Sequence, residues 1–139
     1  MSRDHRWPEL LTQFIEQRRK VPFAWGQNDC CLFAADWVHA CTGHDPAQGL
    51  RGKYSTALGA ARLLATHGGV RGIIQKFGEP LGLIPIDGKF DQRGDLVIAD
   101  TGKGESIGVS IGTHAAFVGA DGLLFAPFEF KKAGFFWRV

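Results

Sequence analysis

The chain has 139 residues, a length that fits one domain with a substantial buried core. Its net charge is only +2, and 45% of its residues are hydrophobic, as in an ordinary globular protein. Nucleic-acid binders carry a clustered basic stripe, whereas the one basic cluster here, residues 18–20, ends a predicted helix. We therefore expect no nucleic-acid partner.

The N-terminal sequence MSRDHRWPELL is polar and lacks the apolar run of a secretory signal. No later stretch approaches the ~20 apolar residues of a membrane span. We expect a protein made in the cytoplasm, without a membrane span. Its three cysteines, of which Cys30 and Cys31 are neighbours, are expected to be free thiols.

Four helices are predicted in the first half of the chain. The first begins near Trp7, where apolar residues recur at helical spacing and Pro8 suits the first turn. A third helix is predicted within residues 55–69 and a short fourth within residues 70–78. The helical half of the chain is thus expected to cover about residues 1–78.

The second predicted helix, about residues 30–42, has apolar residues on most of its circumference and should be buried on several sides. Asp29 precedes it as the expected N-cap. Gly43 follows it as the expected C-terminal stop.

The remaining chain, about residues 90–139, is typical of a sheet. The pair Asp121–Gly122 predicts a two-residue hairpin turn. Helices followed by strands predict an α+β class, a single domain over residues 1–139 and an antiparallel sheet of five or six strands. The strand candidates are the short apolar or alternating runs GDLVIAD, SIGVSIG, HAAFVGA, GLLFAPFEF and AGFFWRV.

Cys30 would lie in the first turn of the buried helix, where unpaired backbone N–H groups and the helix dipole favour an anion. A thiol in that position has a lowered pKa and reacts as the thiolate. Packing is the equally weighted alternative, because free cysteines are commonly buried. Cys31 and Cys41 are interpreted as packing residues.

A reactive thiolate needs a base, and five histidines compete for that role. His114 differs from the others because it opens a predicted strand, which could cross the start of the buried helix. A lone strand histidine is more often simply exposed or packed, so both interpretations stay open on spacing alone.

Three blocks, FAWGQNDCCLFAADWV, RGDLVIAD and THAAFVGADGLLFAP, resemble those of the NlpC-type cell-wall peptidases, which are papain-like cysteine enzymes of bacteria and their phages. In that family an aromatic-Trp-Gly segment leads to Asp-Cys at the start of the central helix. A Gly-Asp-Leu-Val strand follows, and then a strand whose first residue is the catalytic histidine. The resemblance implies an NlpC-type papain-like fold.

Matching these blocks assigns the nucleophile to Cys30 and the general base to His114. Gln27 is the expected oxyanion-stabilising loop residue, with Trp25 and Asp29 as further substrate-binding candidates. For Asp29, the capping role is weighted above a catalytic one. No spacing of histidine, cysteine or acidic residues indicates a metal site, and no cofactor is expected.

The resemblance implies a cysteine endopeptidase or amidase that cleaves peptide stems of peptidoglycan. It extends to phage and prophage proteins encoded among tail genes. The expected location is therefore the tip of a phage tail, where the enzyme would open the cell wall to aid DNA entry. Expected partners are the peptidoglycan stem peptide and other tail or baseplate proteins. Acyl transfer on the same fold is a further possibility.

An alternative function is a tail-tip component whose site is catalytically weak or inactive. The family's third residue should fall near Phe125–Ala126, where neither side chain can orient an imidazole, and the loop aromatic is Phe23, without a hydroxyl. The aromatic C-terminal run would then form a docking patch for tail proteins, against the alternative that it fills the core. Its members are Phe128, Phe130, Phe135, Phe136 and Trp137.

Overall fold

A computed structural model describes residues 1–102, 104–127 and 134–139. Four α-helices form as predicted, and none of the helices in these residues is long and apolar enough to cross a membrane. The last one runs on into a π-helical turn over residues 74–78 and a short 3-10 turn. The helices are α1 Trp7–Arg18, α2 Cys30–Thr42, α3 Ala57–His67 and α4 Gly69–Ile73.

The described residues of the second half form one six-stranded antiparallel sheet, in the order β1-β6-β2-β3-β4-β5. The predicted α+β class is therefore confirmed, with the larger of the two expected strand counts. The strands are β1 Ile84–Ile86, β2 Leu96–Asp100, β3 Glu105–Ser110, β4 His114–Gly119, β5 Gly122–Pro127 and β6 Phe135–Arg138.

Two details of the predicted sheet are wrong. The sheet begins earlier than the expected residue 90, because β1 was not predicted; its central Pro85 is tolerated since β1 is an edge strand. The β4–β5 hairpin pairs Gly119 with Gly122, so its turn residues are Ala120 and Asp121, one position before the expected pair.

Helix α2 lies at the centre of the molecule and packs on α1 and on the sheet. Phe33, Trp37 and Val38 are all fully buried in the main hydrophobic cluster. Burying side chains of this size contributes about 1.5–3 kcal/mol each. Gly43 ends the helix in a left-handed conformation, as predicted.

The C-terminal strand fills the core more than it exposes apolar surface. Phe136 and Trp137 are both buried and belong to two different hydrophobic clusters, on opposite faces of the sheet. Only Phe135 is largely exposed, and the Arg71 guanidinium lies 4.1 Å from its ring centroid. Phe128 and Phe130, the other members of the expected docking patch, lie outside the described residues.

Candidate functional site

A closed loop leads into α2. Ala24 and Asn28 exchange two backbone hydrogen bonds, of 2.8 and 3.2 Å. The buried Asn28 amide donates to the Pro22 carbonyl oxygen at 3.0 Å, and Arg18 of α1 donates to its side-chain oxygen at 3.2 Å. These bonds fix the path of the chain directly before Cys30.

Asp29 is the N-cap of α2, as predicted. One carboxylate oxygen accepts from the Leu32 backbone N–H at 3.0 Å. The other accepts from the Gly26 backbone N–H at 3.0 Å and from the Tyr54 hydroxyl at 2.5 Å. Asp29 is 2% exposed, so its carboxylate faces these donors and not an open cleft. The structure supports its capping role over the alternative role in substrate binding.

Cys30 is a partly exposed residue at the start of α2. The Cys31 thiol and the Ile107 backbone N–H of β3 are the hydrogen-bond donors near its thiol. These two donors lower the pKa of the Cys30 thiol, against burial and the neighbouring Asp29 carboxylate, which raise it. The opposite holds for Cys31, whose pKa is raised by its hydrogen bond to Cys30 and by burial.

The Ile107 N–H faces Cys30 because the β3–β4 ladder is short. Only Val109 and Ser110 of β3 pair with β4. In an antiparallel strand every second N–H points to the same neighbour, and the Ile111 N–H donates toward β4. The Ile107 N–H therefore also points to the β4 side, beyond the paired residues of the ladder, and Cys30 lies near it.

His114 lies at the other end of β3. Its carbonyl oxygen accepts from the Ile111 backbone N–H at 2.8 Å. Ile111 and Ile107 are four residues apart on an extended chain, a separation of about 13 Å. His114 shares the helix-covered face of the sheet, because Ile111 opposite it packs there.

Two further contacts agree with this separation. The Trp37 indole, seven residues or about 10 Å along α2 from Cys30, donates to the Gly94 carbonyl oxygen at 2.8 Å. Gly94 in turn binds Ser110, the neighbour of Ile111. Cys30 therefore lies near Ile107 and His114 beside Ile111, two positions about 13 Å apart along the sheet. The pairing of Cys30 with His114 stays a prediction.

The loop before Cys30 is also fixed at that end of the sheet. The Phe23 backbone N–H donates to the Gly119 carbonyl oxygen at 3.1 Å. Gly119 ends β4, five residues or about 16 Å from His114 at its start. The loop before Cys30 and His114 thus lie at opposite ends of β4.

The strand count differs from that of the resembled family. In the resembled family the strand after Gly-Asp-Leu-Val begins with the catalytic histidine. Here the strand directly after β2 is β3, which begins with Glu105. His114 begins β4, one strand later, so the order of the sequence blocks agreed while the strand count did not.

The other predicted site residues lie in the loop before α2. Gln27 is exposed, and its backbone N–H donates to the Ala24 carbonyl oxygen at 3.1 Å, so that N–H is already used. Trp25 is 40% exposed and packs edge-to-face on Phe23, with ring centroids 4.6 Å apart. Phe23 and Trp25 together form an aromatic surface in the loop that leads into α2 and Cys30.

A sequence profile of the family described as "Domain of unknown function (DUF6950)" matches residues 2–139. The chain belongs to this family. The match spans the whole described site, from the loop before α2 to β4. No curated protein and no solved structure matches the chain.

Two groups of this DUF6950 site were not predicted from the sequence. The Ile107 backbone N–H carries no sequence signal, because only the short β3–β4 ladder directs it to Cys30. Tyr54 is the one tyrosine of the chain, yet no motif marks it. Only the fold brings its hydroxyl to Asp29, which lies 25 residues away in sequence.

The sequence predicts that no side chain near Phe125–Ala126 orients the imidazole of His114. The register of β4 and β5 shows which residues lie opposite that histidine. Pro127 is the β5 residue opposite His114, and Ala126 is opposite Ala115. His114 instead has its Nδ1 atom 2.9 Å from the hydroxyl of Thr113, its neighbour in sequence.

Two cavities flank α2. An apolar one of about 30 Å³ lies behind Cys31 and is lined by residues such as Leu50, Ile73, Phe77 and Ile107. It is close to the space of a single water molecule, too small for an organic ligand. An open groove of about 410 Å³ between α1 and α2 contains the Arg18–Asp36 ion pair. Among the described residues, no three histidine, cysteine or acidic side chains are grouped to hold a metal ion.

Proposed function

We propose that this chain is a phage or prophage tail-tip component on an NlpC-type papain-like scaffold, with a site that is catalytically weak or inactive toward peptides. The scaffold is supported by the order of its parts. Asp29–Cys30 opens a buried central helix, and a Gly94-Asp95 strand start and an antiparallel sheet follow. The tail location rests on the sequence resemblance.

One observation carries the choice of a weak or inactive site: Cys30 lies near Ile107 and His114 is bonded to Ile111, and these two positions are about 13 Å apart along the chain. Peptide cleavage by a thiol needs a nucleophile that forms a bond to the carbonyl carbon and an acid that protonates the leaving amine. Cys30 supplies the first. His114 is too far away to supply the second.

A cysteine peptidase or amidase that cleaves peptidoglycan stems is the second candidate. The environment of Cys30 favours it, because a partly exposed thiol with a lowered pKa is a competent nucleophile. In that reaction the Cys30 thiolate would attack the amide carbonyl, and another group at this end of the sheet would protonate the amine. In both candidates the partners are the stem peptide and other tail proteins, at the tip of the virion.

The decisive experiment compares purified wild type with Cys30→Ala and His114→Ala on soluble peptidoglycan fragments, with products separated by liquid chromatography. His39→Ala is the matched control, because His39 is exposed at the far end of α2. We expect at most trace cleavage, and the same amount from wild type, His114→Ala and His39→Ala.

Cleavage that is lost in both Cys30→Ala and His114→Ala, but kept in His39→Ala, would overturn the proposal and establish the peptidase. Cleavage lost only in Cys30→Ala would establish a thiol enzyme with another acid. Circular dichroism of each variant would show that the fold is kept.

A further inference from the structure

We propose that Tyr54 is a positioning residue for the Cys30 thiol and acts through Asp29. This inference rests on Cys30 being the reactive thiol of the proposed site, but not on peptide cleavage. In this arrangement the Tyr54 hydroxyl binds and screens the carboxylate next to Cys30.

The contact is short and shielded. The Tyr54 hydroxyl donates to the Asp29 carboxylate at 2.5 Å, and the same oxygen accepts from the Gly26 backbone N–H at 3.0 Å. Asp29 is buried and Tyr54 is partly buried, so water competes weakly for this bond. A hydrogen bond to a charged acceptor in such surroundings is among the stronger ones.

Tyr54 is also closely packed against two glycines. A Cβ atom on Gly26 would lie 2.3 Å from the Tyr54 carbonyl oxygen. A Cβ atom on Gly59, in α3, would lie 3.1 Å from the Tyr54 Cβ. The chain at Tyr54 is therefore packed between the loop before α2 and the start of α3, and the ring should keep its place without its hydroxyl.

The electrostatic consequence follows from the neighbours of Cys30. Asp29, Cys31 and Tyr54 are titratable groups near Cys30, and the Asp29 charge disfavours a thiolate. A donor on the carboxylate withdraws part of that charge from the sulfur. Burial and the Asp29 carboxylate both raise the pKa of Tyr54, so its hydroxyl stays protonated and remains a donor at neutral pH.

The test measures the rate at which iodoacetamide alkylates Cys30 at pH values from about 5.5 to about 8. Tandem mass spectrometry assigns the modified cysteine. The proteins are wild type, Tyr54→Phe, Asp29→Asn and the double variant. We expect Tyr54→Phe to slow Cys30 alkylation at mildly acidic pH by about two- to tenfold, the value of one hydrogen bond. In the Asp29→Asn background the same change should have little effect, because no charge remains to be screened.

Unchanged alkylation in a folded Tyr54→Phe protein would overturn the proposal. So would an equal slowing in both backgrounds, which would mean that the hydroxyl acts by packing and not through Asp29.

A second measurement needs no Tyr54 variant: tyrosinate absorbance reports Tyr54 alone, the only tyrosine of the chain. Asp29→Asn should let Tyr54 ionise at lower pH, and an unchanged titration would contradict the coupling. None of these results depends on cleavage, so failure of the proposed function would be separately visible.

Discussion

The Trp37 indole N–H donates a 2.8 Å hydrogen bond to the carbonyl oxygen of Gly94, and this contact fixes how α2 lies along the sheet. Gly94 is joined to Ser110 at one end of β3, so Cys30, seven residues before Trp37, meets the other end. The position of the candidate thiol therefore follows from a buried bond two helical turns away from it.

Removing this donor should destabilise the whole domain. In Trp37→Phe the buried Gly94 carbonyl loses its indole donor, which costs about 1–3 kcal/mol in the free energy of unfolding. Urea denaturation measures it. Trp25→Phe is the matched control, because Trp25 is 40% exposed, and it should change stability by less than about 0.5 kcal/mol. Equal losses in the two variants would contradict the structural role of Trp37.

The order of helices and strands was predictable from the sequence because its signals are local. Asp29 and Gly43 mark both ends of α2, and apolar spacing marks its burial. β1 escaped prediction, since three residues around Pro85 carry no alternation. It exists because β6, from the far end of the chain, pairs with it.

Only the local features of the candidate site could be predicted from the sequence. The position of Cys30 at a helix start is a local feature and was predicted. Its relation to His114 depends on how many strands separate them and on which end of each strand meets α2, and neither is local. The Tyr54–Asp29 bond likewise joins two loops that only the packing of α3 brings together.

Thiol reactivity should differ sharply among the three cysteines. The Cys31 thiol and the Ile107 N–H lower the pKa of Cys30, whereas burial raises the pKa of Cys41 to about 11. Hydrogen bonding to Cys30 and burial raise that of Cys31 as well. Iodoacetamide at mildly acidic pH should therefore modify Cys30 first, as read by tandem mass spectrometry. Comparable rates at all three positions would refute the lowered pKa.

Asp95 joins the two ends of the chain and should give stability a distinct pH dependence. It is fully buried and accepts from Arg3 at 2.8 Å and from Arg138 at 3.0 Å. Burial raises the pKa of Asp95, against Arg138 and Arg3, which lower it. A raised carboxyl pKa means that the folded protein holds this proton more tightly, so the related stability is present at low pH and is lost as pH rises through that pKa.

Arg3→Gln removes one of the opposing charges and should raise the pKa of Asp95 further. Its cost in unfolding free energy should thus be larger at pH 7, about 2 kcal/mol, than at pH 4. Thermal unfolding at both pH values measures this. Arg6→Gln is the control, because Arg6 is exposed and 3.6 Å from Asp4. A cost for Arg3→Gln that falls with rising pH would be inconsistent with this account.

Gly26 combines a left-handed backbone with close packing against the Tyr54 backbone. Its φ is +76°, and an added Cβ would lie 2.3 Å from the Tyr54 carbonyl oxygen. Gly52 has nearly the same φ, +77°, with nothing within 4 Å. Gly52→Ala should cost about 1 kcal/mol of stability from the backbone alone, and Gly26→Ala clearly more. Equal losses, measured by urea denaturation, would show that the two loops separate easily.

The central claim is that Cys30 is a reactive thiol without His114 as its base. A thiolate paired with an imidazolium would lose reactivity at mildly acidic pH when the histidine is removed. The most direct test is the pH profile of Cys30 alkylation in wild type and in His114→Ala. The account predicts two superimposable profiles. A profile in His114→Ala displaced to higher pH, with the fold intact, would contradict it and restore the Cys30–His114 dyad.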